Sequence, residues 1–191
     1  DDAAAIEAVL WEGAATCDAL LTSGGVSMGD HDLVKVVLDE VGDMRWMQVA
    51  IKPAKPFAFG LLPGPARPVP VFGLPGNPVS SLVSFELFAR PGIRTMAGHS
   101  RPQRRRVRAV AGTDLRRRAD GKTHFVRVVV TGEPDGTLTV APTSGQGSHQ
   151  LTGLAGADGL AVLPDGDGVP DFLGGAEDGK LYFLPNPRSK K

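Results

Sequence analysis

The sequence is poor in cysteine and has no long apolar run. It contains one cysteine, Cys17, in 191 residues, which excludes an intramolecular disulfide framework and is typical of a protein in reducing surroundings. We therefore expect a cytoplasmic location, with Cys17 buried as a small apolar side chain. No apolar stretch approaches the roughly 20 residues that a membrane-spanning helix needs, so we expect a soluble protein without a membrane partner.

Aromatic residues are also scarce, at 6% of the chain. The net charge is zero, but arginines concentrate between Arg101 and Arg118. No aromatic residue is interleaved with these arginines, as recognition of nucleic-acid bases by stacking would require. We interpret the segment as a solvated basic surface or a surface for an acidic partner, and we expect no nucleic-acid partner.

Signatures of tightly bound metals and of common nucleophiles are missing as well. The four histidines have no zinc-ligand spacing with one another or with Cys17. The segment Asp165–Gly168 superficially matches a calcium loop, but no glutamate follows at the position of the bidentate ligand. The chain also lacks a P-loop, a dinucleotide-binding fingerprint and a G-x-S-x-G elbow.

The sequence does contain an alternation of strand and helix patterns up to residue 98. Helices are predicted over about Asp2–Ala15, Asp32–Gly42 and Pro78–Met96. Short strands are predicted over Ala19–Thr22, Met44–Ile51, Phe57–Leu62 and Val69–Phe72. Val9 and Val36 are expected on buried helix faces, and Pro91 is expected to kink or end the third helix. This alternation indicates an α/β domain with a largely parallel sheet, whose ligand site lies at the carboxyl ends of the strands.

From Arg101 onward the pattern changes to short alternating strands. They are predicted over Arg104–Ala111, Thr123–Val130, Thr137–Val140, Leu160–Leu163 and Leu181–Leu184. Turn signals such as Asp120-Gly121 and Asp135-Gly136 separate them. Strands at this spacing indicate a small antiparallel β-barrel or β-sandwich. We therefore divide the chain into an α/β domain over residues 1–98 and a β-barrel domain over residues 99–191.

Two glycine-rich loops, each between a strand pattern and a helix pattern, are the most informative feature. In such loops the backbone N–H groups point at an anion. The candidate binding residues of the first loop are Thr22, Ser23, Gly24, Gly25 and Ser27, and those of the second are Pro75, Gly76, Asn77 and Ser80. Between the loops, Lys52 and Lys55 are held in a stiff Lys-Pro-Ala-Lys-Pro segment, which suits a divalent oxyanion.

Each of these features also has a purely structural interpretation. The glycines could serve only as tight turns, and the Pro-Gly-Asn-Pro segment could be only a rigid connection. Asp32 could be a helix N-cap or, alternatively, a metal ligand or an acid/base group. The Gly145–His149 segment could be a flexible surface loop or part of a site.

The segments Thr22–Asp32, Ile51–Gly60, Gly73–Ser80 and Gly145–His149 together resemble the molybdopterin molybdenumtransferases, the MoeA family that includes the E domain of gephyrin. The resemblance implies a MogA-like three-layer α/β domain, N-terminally incomplete, followed by a C-terminal β-barrel. It also implies that two earlier parts of the family's chain precede this sequence. The family reaction inserts molybdate into adenylylated molybdopterin with release of AMP.

The resemblance further implies roles for individual residues. The implied catalytic residues are Asp1, Asp32 and Lys52, with Asp32 also the ligand of Mg²⁺. The implied oxyanion-binding residues are Ser27, Asp32, Lys52, Lys55, Ser80, Arg127 and Ser148. Gln48 stands where the family has a basic residue. The substrates would be molybdate and adenylylated molybdopterin, and the full-length protein would be a homodimer.

Two other functions fit the same resemblance. The chain could be a non-catalytic scaffold module of the gephyrin type, or a MogA-like molybdopterin adenylyltransferase. The appended β-domain and the Lys-Pro-Ala-Lys-Pro segment favour the transferase over the adenylyltransferase. We expect the 191 residues by themselves to be inactive or nearly so, because the family's earlier parts lie against its active site.

Overall fold

The structure is a computed structural model that describes residues 2–26, 32–115, 120–164 and 181–185. The chain folds into two compact units. The first unit comprises Asp1–Val49 and Ala54–Pro102, and the second comprises Ala50–Pro53 and Gln103–Lys191. The short segment Ala50–Pro53 thus belongs to the second unit, a feature that the sequence pattern did not indicate.

The first unit alternates helices with strands, as the sequence predicts. Its elements are α1 (Ala3–Thr16), β1 (Leu20–Ser23), α2 (Leu33–Val41), β2 (Asp43–Gln48), β4 (Pro56–Leu62), β5 (Val69–Leu74), α3 (Pro78–Ser84), a π-helical turn (Phe85–Ala89) and α4 (Arg90–Met96). The side chain of Asp2 caps α1 by accepting from the backbone N–H groups of Ala4 at 3.0 Å and Ala5 at 3.4 Å. Strand β3 (Ile51–Lys52) lies between β2 and β4 in the chain but pairs in the second unit.

The sheet of the first unit is mixed, with strand order β1-β5-β4-β2 in the described residues. Only β1 and β5 run parallel, whereas β5 with β4 and β4 with β2 are antiparallel. The prediction of a largely parallel sheet was therefore wrong. No helix connects β4 to β5 or β2 to β4, and neighbouring strands joined by short connections must run in opposite directions.

Helices cover both faces of this sheet and give three layers. On one face, Leu10 of α1 and Leu38 of α2 pack with Leu62 and Val71 of the sheet. On the other face, Phe57, Phe72 and Leu74 pack with side chains of the α3–α4 segment, including Ala89. The predicted three-layer α/β domain is confirmed, and its core consists of these two apolar layers.

Proline 91 does not end the third helix. Helical structure continues from Pro78 to Met96, because a π-helical turn over Phe85–Ala89 lies just before Pro91. A π-helical turn accommodates the missing N–H of a proline by shifting the hydrogen-bond register of the preceding turn. Pro91 then lies in the first turn of α4, the position where a helix tolerates a proline.

Three side chains predicted to be buried are exposed. Val9 of α1 is 67% exposed and Val36 of α2 is 41% exposed, because the buried stripe of α2 passes through Val37 and Leu38 instead. Cys17 is also exposed, since it follows the last turn of α1 rather than packing beneath it. The periodicity located both helices, but their buried stripes run through Leu10 with Ala14 and through Val37 with Leu38, which leaves Val9 and Val36 outside them.

The second unit is a β-rich domain whose strands lie where the sequence predicts them. Besides β3 it contains β6 (Val107–Ala111), β7 (Thr123–Gly132), β8 (Leu138–Pro142), a short helix α5 (Leu151–Ala155), β9 (Gly159–Leu163) and β10 (Leu181–Pro185). The described strands pair in the order β3-β7-β8-β6-β10-β9, and β9 pairs again with β7. These pairings close a ring around Val128, Val140 and Ala161. The ring is antiparallel except for the parallel pair β6–β8.

Strand β7 of this barrel also carries β3. Lys52 lies opposite His124 in a parallel register, and the N–H of Thr123 donates to the carbonyl of Ala50 at 3.0 Å. The imidazole Nε2 of His124 lies 2.9 Å from Oδ1 of Asp120. The hydrogen bond from His124 lowers the pKa of Asp120 below its ordinary value; the charges of Lys122 and Lys52 act in the same direction, and partial burial opposes them.

Among the described residues, no helix is long and apolar enough to cross a membrane.

Strands β4 and β2 pack so closely at Gly60 that one added methyl group there should lower the stability of the first unit. Gly60 lies opposite Met44, and a Cβ at Gly60 would collide with the Met44 sulfur and the Asp43 carbonyl oxygen. We expect Gly60→Ala to reduce the free energy of unfolding by about 1–3 kcal/mol. Both tryptophans, Trp11 and Trp46, lie in the first unit, so denaturant unfolding followed by tryptophan fluorescence measures this change.

The matched control for Gly60→Ala is Gly76→Ala. A Cβ at Gly76 would meet its nearest neighbour, the Cα of Gly24, at an ordinary 3.6 Å. We expect a change within about 0.5 kcal/mol for this control. Equal losses in the two variants would contradict a steric cause at Gly60.

The Asp120–His124 pair predicts a pH dependence for the second unit. The folded-state pKa of Asp120 is lowered, so its contribution is present above the unfolded value of about 3.8 and is lost as the pH falls through the folded value. Asp120→Asn should lower the thermal midpoint near pH 6, and the gap to the parent should close as the pH falls below about 4. Circular dichroism melts between pH 3 and pH 7 test this, with the exposed Asp43→Asn as the charge-matched control. A gap that stays constant with pH would show that the carboxylate charge plays no part.

Candidate functional site

The parallel pairing of β1 with β5 brings the two glycine loops together. Ser23 at the end of β1 lies opposite Leu74 at the end of β5. The N–H of Gly24 donates to the carbonyl of Leu74 at 2.9 Å, and Gly76 lies against Gly24. Carboxyl ends of neighbouring parallel strands are where ligands bind in α/β sheets. The two loops therefore meet at the edge of the sheet where the sequence predicts a ligand.

Gly24 and Gly25 adopt a conformation that other residues avoid. Their φ angles are +99° and +77°, in the left-handed region that glycine enters without strain. A Cβ at Gly25 would also overlap the side chain of Val34 on α2. The two glycines therefore allow the chain to turn sharply from β1 toward α2 while leaving backbone close to the surface.

An open cleft of about 420 Å³ lies beside these loops. Its lining comprises Ser23, Leu74, Gly76, Pro78, Ser81, Leu82 and Phe85. Hydroxyl groups and loop backbone form part of the wall, and apolar side chains from β5 and the α3 segment form the rest. Such a mixed wall suits a ligand with a flat apolar portion and a polar or charged end.

Asp32 stands at the start of α2 but does not cap it. Its backbone occupies the N-cap position, and its side chain makes no capping hydrogen bond with the first turn of the helix. Oδ1 of Asp32 lies 3.3 Å from the position that a Cβ of Gly25 would take. Because the carboxylate faces the first glycine loop instead of the helix end, its position does not support a role limited to capping.

The remaining candidates of the first unit differ in accessibility. Ser80 is buried at 6% exposure, whereas its neighbour Ser81 lines the cleft. Pro75 is buried, Thr22 is half-buried, and Asn77 is exposed. Sequence reasoning missed Leu82 and Phe85, although the helical period from Pro78 could have placed them on one face with Ser81.

The structure assigns Lys52 and Lys55 to different units. Lys52 is exposed on β3 in the second unit, while Lys55 is exposed in the first unit, where its carbonyl accepts from the N–H of Val49 at 2.7 Å. Between them the Lys52–Pro53 peptide is cis, and Ala54 has φ +80° while being 4% exposed. A non-glycine residue in this region is strained, and such strain is concentrated at functional segments.

In the second unit the structure brings Arg127 together with the Gly145–Ser148 loop. Arg127 is 1% exposed on β7. Its Nη2 donates to the carbonyl of Gly145 at 2.5 Å and to that of Gly147 at 3.3 Å. Burial lowers the pKa of Arg127, but from so high an ordinary value that the guanidinium stays charged at neutral pH. Ser148 itself is half-buried.

Some predicted site residues lie outside the described residues or show no specific contact. Asp1 and Ser27 are outside the described residues, as are Asp30 and the arginines at 116–118. Gln48 is exposed at the end of β2. Among the residues that the structure describes, no group of three or more histidine, cysteine, aspartate or glutamate side chains could hold a metal ion.

Two family profiles match the chain in sequence order. The family described as "Probable molybdopterin binding domain" matches residues 1–95, and the "MoeA C-terminal region (domain IV)" matches residues 108–170. The first profile contains the two glycine loops and the cleft. The second contains Arg127 and the Gly145–Ser148 loop.

Curated relatives are similar over most of the chain. The molybdopterin molybdenumtransferase of Haemophilus influenzae is 34% identical over 163 residues, which are 85% of this chain and 39% of that protein. Molybdopterin molybdenumtransferase 2 of Mycobacterium tuberculosis is 36% identical over 171 residues, or 86% of this chain and 40% of that protein. The chain thus spans about two-fifths of the length of these relatives.

Solved structures show the same fold. Two crystal structures of a molybdopterin biosynthesis MoeA protein from Pyrococcus horikoshii superpose with TM-scores of 0.65 and 0.63 at 24% and 21% identity. Each covers 97% of this chain, which corresponds to 41% and 40% of the longer chains. Together with the two profiles, these similarities show that the chain belongs to the MoeA family, of which it carries a molybdopterin-binding domain and the C-terminal domain IV.

Proposed function

We propose that this chain is the C-terminal part of a molybdopterin molybdenumtransferase, which inserts molybdate into adenylylated molybdopterin and releases AMP. The names of the relatives support this reaction. The observation on this chain that supports it lies at the edge of the sheet in the first unit. There the two glycine loops meet beside an open cleft and an aspartate that is not used as a cap. We treat the reaction as that of the whole encoded protein, because the relatives are longer.

The cleft supports binding of a substrate with a flat ring system and phosphate groups. Leu82 and Phe85 offer an apolar wall for a pterin-like heterocycle, and Ser23 and Ser81 offer hydroxyl donors. The backbone around Gly24 and Gly76 comes close to the surface, where N–H groups can meet phosphate oxygens. In this proposal Ser81 rather than the more buried Ser80 is the hydroxyl that first meets an anion from solvent.

Lysine side chains would supply the charge for molybdate. Molybdate is a tetrahedral dianion, and charge-assisted hydrogen bonds to its oxygens are stronger than neutral ones. Lys52 and Lys55 are both exposed and flank a strained backbone segment. We propose that this stiff segment fixes the stems of the two lysines, so that less side-chain entropy is lost on binding. In the second unit, Ser148, which belongs to the loop that the Arg127 side chain binds, is proposed as an anion-binding residue.

The residues present fit a magnesium ion only in one particular way. Mg²⁺ is commonly held by one or two carboxylates together with substrate phosphates. Asp32 offers one carboxylate that is not spent on capping, and the described residues offer no cluster that could hold the ion without substrate. When bound, Mg²⁺ would neutralise charge on the phosphoanhydride. The protein's own contribution is to hold the Asp32 carboxylate beside the first glycine loop.

A MogA-like adenylyltransferase is the less favoured function. The chain matches the C-terminal domain IV, and Lys52 pairs with a strand of the second unit. An appended β-domain of this kind favours the transferase over the adenylyltransferase. No observation on the described residues specifically favours a non-catalytic scaffold. A homodimer of the whole protein stays a prediction that light scattering on the purified protein can test.

Loss of both lysines should weaken molybdate binding strongly. Each charge-assisted contact contributes about 1.5–3 kcal/mol, so Lys52→Ala combined with Lys55→Ala should raise the molybdate dissociation constant at least about a hundredfold. Calorimetric titration with molybdate measures this constant. The control removes two other exposed positive charges, Arg45→Ala with Arg105→Ala, and should change the constant by less than about threefold. An unchanged constant in the lysine variant would rule out this molybdate site.

Asp32→Asn should separate a functional from a structural aspartate. Asparagine caps helices about as well as aspartate, and Asp32 makes no capping hydrogen bond, so the unfolding midpoint should not move. AMP release by the whole encoded protein should fall by at least about a hundredfold, because the carboxylate for the cation is lost. Glu40→Gln on the same helix, an exposed carboxylate, is the matched control. Near-normal AMP release by Asp32→Asn would return Asp32 to a structural role.

A further inference from the structure

We propose that Gln146 is a positioning residue of the site: Gln146 and Arg127 form a reciprocal clamp that fixes the Gly145–Ser148 loop in its binding conformation. The proposal rests on the proposed function, because it assigns the loop to the anion-binding set. Neither the profiles nor the names of the relatives assign a role to Gln146. The clamp itself can be tested without any substrate.

The side chain of Gln146 pairs with the backbone of Arg127 just beyond the end of β8. Its Oε1 accepts from the backbone N–H of Arg127 at 3.1 Å, and its Nε2 donates to the backbone carbonyl of Arg127 at 2.8 Å. These are the two bonds that a residue on an adjacent strand would make. They occur where β8 has ended, since the last β7–β8 pair is Val128 with Pro142. The amide thereby satisfies the N–H of Arg127 and shares its carbonyl with the backbone N–H of Thr143.

The amide of Gln146 also holds the start of its own loop. Nε2 lies within hydrogen-bond distance of the Thr143 carbonyl at 3.0 Å and of the Thr143 hydroxyl at 3.1 Å. Thr143 in turn donates from its backbone N–H to the Arg127 carbonyl at 2.9 Å and from its hydroxyl to the Gly153 carbonyl at 2.9 Å. All these groups converge on one backbone carbonyl of β7 and on the end of the loop.

Arg127 completes the clamp from the opposite direction. Its Nη2 binds the carbonyls of Gly145 and Gly147, the residues on either side of Gln146. Gln146 therefore holds the backbone of Arg127, while the side chain of Arg127 holds the backbone around Gln146. Arg127 is 1% exposed, and no carboxylate among the described residues pairs with it.

The loop around Gln146 depends on these side-chain bonds. Gly145 has φ +73°, and a Cβ at Gly153 would collide with the carbonyls of Ser144 and Gly145. Among the described residues, the one other side chain that hydrogen-bonds to the backbone of this loop is that of Gln150, which accepts from the N–H of Gly147 at 2.8 Å. Without Gln146, the carbonyls that face Arg127 would lose their fixed positions. Ser148, the next residue but one, would then lose its fixed position toward a bound anion.

A direct role of the Arg127 charge makes the opposite prediction. The Nε of Arg127 has no hydrogen-bond partner, so the guanidinium could instead contact the anion itself. In that case Arg127→Lys would keep much of the binding, and Gln146→Ala would have little effect. In a clamp, Arg127→Lys loses the contacts to both carbonyls, because the lysine ammonium ends one bond short of Nη2, the atom that reaches them. Both variants then fail in the same way.

The experiment compares Gln146→Ala, Arg127→Lys and the double variant with the parent. Gln103→Ala, an exposed glutamine of the same unit, is the matched control. Amide hydrogen exchange of peptides covering residues 143–150 reads the order of the loop, and peptides from β7 and β9 read the integrity of the barrel. Steady-state AMP release with adenylylated molybdopterin, using the whole encoded protein, gives KM and kcat separately. Gln146→Glu keeps the acceptor for the Arg127 N–H and carries the test if Gln146→Ala does not fold.

We expect exchange in residues 143–150 to become at least about tenfold faster in each single variant. Strand β9 and the amides of β7 other than that of Arg127 should stay protected. KM should rise at least about tenfold while kcat changes by less than about threefold. The KM of the double variant should exceed the higher of the two single-variant KM values by no more than about threefold, because the two residues act as one unit.

Three results would overturn the proposal. Parent-like exchange of the loop in Gln146→Ala would remove the clamp, whatever the function. A loosened loop with an unchanged KM, while the lysine variant still loses molybdate, would remove the positioning role and leave the proposed function standing. Strong effects of Arg127→Lys that add fully to those of Gln146→Ala would show two independent roles. If the parent protein itself neither binds molybdate nor releases AMP, the proposed function fails, and the exchange data alone still decide whether the clamp exists.

Discussion

The parallel pairing of β1 with β5 is the constraint on which the candidate site depends. Four residue pairs, from Leu20 with Val71 to Ser23 with Leu74, bring two chain segments about fifty residues apart to the same sheet edge. Parallel strands end on the same side, so the loops that follow them must meet. If the two strands ran antiparallel, the glycines of the first loop and the Pro-Gly-Asn turn of the second would lie at opposite ends of the sheet.

In the second unit, the candidate residues depend in the same way on strand β7. It pairs with β9 along one edge, and along the other edge with β8 and then with β3. Between those two partners its backbone at Arg127 is paired by the side chain of Gln146. Every candidate residue that the second unit contributes, from Lys52 to Ser148, is attached to this one strand or to the loop it holds. Its register therefore determines how the second unit presents its charges.

Burial makes these polar arrangements sensitive to single changes. A buried donor or acceptor that loses its partner costs about 1–3 kcal/mol, whereas a satisfied one contributes only modestly. Arg127 is the most demanding case, because its charge is almost fully removed from solvent. The loop carbonyls of Gly145 and Gly147 compensate part of that cost. A group held in this way is preorganised, since the ordering has already taken place during folding.

The sequence identified much of the fold and the family without any structure. Strands of the second unit, the helices over Ala3–Thr16 and Leu33–Val41 and the long helical segment to Met96 were all predicted close to their observed bounds. Gly24 and Gly25 could be singled out because a sharp turn between a strand and a helix needs left-handed backbone, which glycine adopts without strain. Local patterns of this kind are visible in sequence because they depend on neighbours a few residues apart.

Other features were decided by contacts between distant segments, which sequence periodicity cannot contain. The direction of β4 relative to β5 depended on a short connection in place of a helix. The assignment of Lys52 to the second unit depended on the pairing of β3 with β7, some seventy residues later in the chain. The choice of Ser81 over Ser80 as the cleft residue depended on which face of the helix the sheet covers. The sequence by itself determined the candidate residues for anion binding. The tertiary structure decided which of these candidates reach one edge of one sheet, because strand pairing acts between residues far apart in the chain.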